Sequence, residues 1–91
     1  MTFITDVNKL NNKLEDIIEQ EQQGKLALFC KFDIEKLIED AKLKLATWST
    51  IEEMNKDVLK QLVSLIKYAQ EYLEFLVYKY NLTNCDDSLN V

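Results

Sequence analysis

Residues 50–81 read TIEEMNKDVLKQLVSLIKYAQEYLEFLVYKYN, and within them Ile51, Met54, Val58, Leu62, Leu65, Ala69, Leu73, Leu76 and Tyr80 recur at spacings of three and four. That period puts the whole series on one face of an α-helix. No proline or glycine interrupts it. Thr50 and Glu53 make an S/T-x-x-E capping box, which predicts that the helix starts at residue 50. A helix of about 32 residues would span roughly 48 Å. A stripe of that length needs other helices to cover it.

Two further helices precede it. Over residues 5–23, Phe3, Val7, Leu10, Leu14, Ile17 and Ile18 form a narrow apolar seam, as expected of a helix lying on a two-helix platform. Gly24 follows, the one glycine of the chain, placed where a positive φ ends a helix. Over residues 25–48, Ala27, Cys30, Ile34, Leu37, Ile38, Ala41, Leu45 and Trp48 share a face. The connections are short, and short connections make neighbouring helices antiparallel. The expected fold is all-α, an up-down-up three-helix bundle with a long C-terminal helix. Residues 1–82 form one domain, and residues 83–91 are read as a polar, flexible tail. The expected core is Ile34, Leu37, Ile38, Leu45, Val58, Leu62, Leu65, Ala69 and Leu73, with Leu10, Leu14 and Ile17.

Composition excludes most chemistry. With no histidine and no arginine among 91 residues, a catalytic triad and an arginine clamp are out of reach, and one glycine makes no phosphate-cradling loop. The expectation is a protein that is not an enzyme and carries no cofactor. Cys30 and Cys85 have neither disulfide-scaffold nor metal-ligand spacing, and no Glu-x-x-His motif accompanies the carboxylates, so no metal is expected either. All eleven basic residues are lysine and the net charge is −5, which argues against direct nucleic-acid reading. No run approaches 18 uncharged apolar residues. The start Met-Thr-Phe-Ile-Thr-Asp lacks the basic and long apolar segments of a signal peptide. A cytoplasmic location follows as an expectation, in the cell or in an infected host. Lysine, asparagine, isoleucine, leucine, phenylalanine and tyrosine are abundant while proline is absent. That pattern of AT-rich codons points to a low-GC bacterium, its phage or plasmid, or an AT-rich eukaryote or eukaryotic virus.

Some apolar residues fall outside the stripes, and a contact surface could lie there. On the second helix Leu28, Phe29, Phe32 and Leu43 point away from the Ile34 to Leu45 face. Either the helix breaks before Asp33, giving a separate short helix, or these residues form an exposed patch. On the third helix Tyr68, Tyr72, Phe75 and Tyr78 widen the stripe around one side. Aromatics with a polar tip suit interfaces. The first two helices should span only roughly 28 and 36 Å, so the last turns of the third, from Phe75 to Tyr80, should overhang.

The carboxylates of Glu15, Asp16, Glu19 and Glu21 fall within seven residues, with no lysine between Lys13 and Lys25. Such a cluster keeps an acidic protein soluble or steers a basic partner. The expected partner-binding set is Tyr68, Tyr72, Phe75, Tyr78, Glu15, Asp16, Glu19, Phe29 and Phe32. The expected function is a small acidic inhibitor, or an immunity or anti-defence protein, that blocks a basic or nucleic-acid-binding protein. The alternative is a structural subunit that self-associates, as a homodimer through its third helix, or docks into a larger assembly. A weaker third reading places an apolar ligand between helices, near Tyr68, Tyr72 and Trp48.

Overall fold

A computed structural model describes residues 2–82. Among them are three helices and no strand: α1 (Thr2–Gln22), α2 (Ala27–Trp48) and α3 (Lys56–Tyr80). They pack as a helical bundle in which the α2–α3 interface is the most extensive. The expected tail, residues 83–91, lies outside the described residues.

Gly24 ends α1 as its position suggests. Its φ is 102°, its N–H donates to the Glu21 carbonyl, and the Lys25 N–H donates to the Gln20 carbonyl at 2.9 Å. This is the Schellman pattern, with the left-handed residue at C′. Asn81 closes α3 in the same way, at φ 53°, with Leu82 N–H donating to the Val77 carbonyl. Asparagine is among the few side chains that tolerate that conformation.

One expectation about a helix end fails. The Thr50–Glu53 box caps nothing: the Thr50 hydroxyl donates backwards to the Thr47 carbonyl at 2.7 Å, and residues 51–54 are turn and coil. Asn55 is the N-cap instead. Its Oδ1 accepts from the Asp57 N–H at 2.8 Å, and Asp57 puts a carboxylate in the first turn, where the helix dipole favours it. Of the two alternatives left open for α2, the break before Asp33 is absent, for α2 runs unbroken from Ala27 to Trp48.

The later start of α3 removes the overhang. Helices of 21, 22 and 25 residues span roughly 31, 33 and 38 Å, a difference of about one turn. Leu76, expected to project past the bundle, is fully buried.

One continuous core joins the helices. Val7, Leu10, Leu14 and Ile17 of α1 meet Cys30, Ile34, Leu37, Ile38, Ala41 and Trp48 of α2, and Val58, Leu62, Leu65, Ile66, Ala69 and Leu76 of α3. Leu45 and Leu73, expected inside, are half-buried against it, and Ile51 lies outside α3 and is exposed. Phe3 packs edge-on against Trp48 with ring centroids 4.9 Å apart.

Leu62 has no solvent exposure. Leu62→Ala should cost about 2–5 kcal/mol, a large share of a small domain's stability. Urea unfolding checks this, and a loss below about 0.5 kcal/mol would contradict the buried position.

Candidate functional site

The outward aromatics come from the first half of α2 and the last half of α3. Because α2 does not break, Phe29 and Phe32 keep the outward directions that their positions dictate, at 54% and 47% exposure. Leu26, Leu28 and Leu43 are exposed with them. On α3, Tyr68 is 52% exposed, Phe75 45% and Tyr78 88%. The start of α2 and the end of α3 share a shallow groove of about 390 Å³, lined by Lys31, Glu35, Leu73, Glu74, Val77 and Tyr78. Lys31 is itself buried; its Nζ donates to Glu35 at 2.9 Å and lies 5.5 Å from the centre of the Phe32 ring. Its aliphatic stem forms part of the groove wall, with the charge carried to the rim.

Tyr72 divides from its neighbours on α3. It is half-buried, its ring packs at 5.6 Å against Phe75, and its hydroxyl donates to Glu21 at 2.6 Å. Of the four tyrosine and phenylalanine side chains expected at a contact surface on α3, Tyr72 therefore also serves the fold.

Glu21, counted with Glu15, Asp16 and Glu19 in the acidic run, is only 5% exposed. Its position explains this: it follows Leu14 and Ile17 by seven and four, on the buried stripe of α1. Three groups of α3 satisfy it. Tyr72 donates to Oε1, Tyr80 donates to Oε2, and Lys79 Nζ lies 3.3 Å from Oε2. The donated bonds from Tyr72 and then Tyr80 hold the Glu21 carboxyl below its ordinary range, against the opposing effect of burial. Burial and the bond to Glu21 push the Tyr72 hydroxyl well above the usual tyrosine range, so it remains a donor at neutral pH. The Lys79 ammonium is raised by Tyr80 and Glu21. No described buried side-chain polar atom lacks a partner.

The rest of the acidic cluster divides. Glu15, Asp16 and Glu19 are exposed, but Asp16 borders a depression it shares with Lys13, Lys25, Asp33 and Lys36. Its charge is thus set among three lysines. Asn11 shares a different depression with Tyr68, and Glu15 and Glu19 continue the Asn11 line at four-residue spacing. The turn of about 40° at each four-residue step carries Glu15 and then Glu19 outward from Asn11, so both carboxylates face solvent.

Chemistry finds little to work with. Among the described residues no three potential metal-ligating side chains converge, and no helix is long and apolar enough to cross a membrane. Cys30 is buried, which pushes its thiol pKa up and away from reactivity. Trp48 and Tyr72 do not meet: the first packs on Phe3 at the start of α1, the second bonds Glu21 near its end. The suggested ligand site between Tyr68, Tyr72 and Trp48 is therefore not assembled. Compared with protein families, curated proteins and solved structures, the chain matches none, so its surface must be read from its own geometry.

The depressed Glu21 carboxyl contributes stability that is present above the carboxylate's unfolded pKa and is lost as pH falls through the lower, folded value. Glu21→Gln should destabilise the protein by about 1–3 kcal/mol at neutral pH. The gap to the parent should narrow in acid, below the ordinary carboxylate range. Urea midpoints at neutral and acid pH check this; a gap independent of pH would show that the charge is irrelevant.

Proposed function

We propose that this protein acts by contact, as an acidic helical binder that occupies and blocks a basic or nucleic-acid-binding protein, in the manner of an inhibitor, immunity or anti-defence protein. The observation that carries the reading is the unbroken course of α2, which leaves Phe29 and Phe32 in water, together with the exposure of Phe75 and Tyr78 on α3. Large aromatics anchor interfaces out of proportion to their number. Four exposed aromatics on two packed helices, with Tyr78 lining the groove between them and Phe32 beside Lys31 of its wall, exceed the scattered apolar exposure of an ordinary surface.

Charge supports the choice of partner. Glu15 and Glu19 form an exposed acidic edge on α1 without an ion pair among the described residues, and the net charge is −5. Such an edge speeds encounter with a basic surface more than it adds affinity. The reading takes the helices in up-down-up order, which the Phe3–Trp48 contact and the bonds from Tyr72 and Tyr80 to Glu21 support. One observation favours a second reading, a homodimer through α3. The groove sets Leu73, Val77 and the exposed Tyr78 of α3 in one patch, with Lys31 already paired to Glu35, and such a patch can meet its own copy about a two-fold axis.

Light scattering separates the two. A monomer whose captured partner is released by salt supports the blocking reading, and a salt-insensitive dimer supports the second. In either case Tyr78→Ala should leave the unfolding midpoint nearly unchanged and weaken the contact about tenfold or more. Glu19→Lys should slow heterotypic association at low salt without moving the melting temperature. Normal binding per folded molecule in Tyr78→Ala, together with lost stability, would return the aromatic stripe to the fold.

A further inference from the structure

The start of α1, the connection between α2 and α3, and the first turns of α3 enclose a cleft of about 650 Å³, within the size range of small-molecule sites. Its apolar lining includes Phe3, Ile4, Met54 and Val58, and its polar lining is two carboxylates, Glu53 and Asp57, with the amides of Asn55 and Gln61. No lysine lines it, Lys56 lying between the two acids in sequence but outside the lining. Neither acid is in an ion pair among the described residues. An apolar body in this cleft leaves water, while an ammonium at its edge meets two exposed carboxylates, Glu53 and Asp57, the latter already favoured by the α3 dipole. A carboxylate in the same position would meet repulsion.

We propose that this cleft binds a small amphiphilic cation, an apolar body bearing one protonated amine. The site is independent of the protein contact proposed above, for it is built from the start of α1 and the start of α3, and shares no residue with the Tyr78 groove.

The chain carries its own reporter. Trp48, the single tryptophan, is buried edge-on against Phe3, whose ring lines the cleft. Trp48 emission is followed while phenylbutylamine, phenylbutanol and phenylbutyrate are added separately to the full chain at neutral pH. The amine should give a saturable change at least about tenfold tighter than the alcohol, with the carboxylate weakest. Amide shifts with the amine should centre on Met54 and Val58. In a Glu53→Gln, Asp57→Asn variant the amine should fall to the affinity of the alcohol. Equal affinity for amine and alcohol, no saturable change at millimolar amine, or shifts centred on Tyr78 would each overturn the proposal. A folded double variant that keeps the amine preference would do the same. Should that variant fail to fold, the three-compound series on the parent chain still decides.

Discussion

With three helices in a bundle, each has only two neighbours, and only part of its circumference can be taken out of water. The buried stripes of α1, α2 and α3 use that part fully, from Val7 to Ile17, Cys30 to Trp48 and Val58 to Leu76. Any large apolar residue outside them has no third helix to cover it. Phe29, Phe32 and Tyr78 are exposed because of this limit rather than through any local peculiarity of the backbone. Were α2 to break before Asp33, its first turns could fold over that side; the continuous helix prevents it. The surface argued to meet a partner thus follows from helix number and continuity together.

Much of the fold can be read from the chain. Periodicity places the three helices and most of the core, and Gly24 marks the end of α1 through the one backbone conformation that glycine adopts without penalty. The start of α3 was not legible, because two capping signals stand five residues apart. Thr50 with Glu53 fits the motif, but Asn55 is the residue whose side chain receives a free N–H. Cap motifs are local, and which one is used depends on where the core lets the helix begin. The α2 face was ambiguous for the converse reason: apolar residues on both sides of a helix suit a break and a patch equally well.

The candidate surface was legible in part. Phe29, Phe32, Phe75 and Tyr78 stand in water as their positions on the helical wheel require. Glu21 was grouped by charge with the acidic run, although by period it continues the Leu14 and Ile17 stripe. Its partners Tyr72 and Tyr80 lie more than fifty residues away, a pairing that no local pattern reveals. The lysines around Asp16 were hidden for the same reason, since Lys13 and Asp16 of α1 meet Lys36 of α2 only in the packed bundle. Local charge counts describe a helix; tertiary neighbours decide which charges remain uncompensated.

The bonds to Glu21 also bear on how long the molecule stays folded. They connect positions 51, 58 and 59 residues apart, whereas α2 and α3 are joined by a short connection. Closing the longer loop costs more chain entropy, so the α2–α3 hairpin has the means to form before α1 is fastened to the end of α3. An interaction made after the folding barrier leaves the folding rate almost unchanged and retards unfolding instead. On this view the buried carboxylate acts as a latch on the lifetime of the native state. Under the proposed reading, the time a partner stays blocked depends on that lifetime as much as on equilibrium stability.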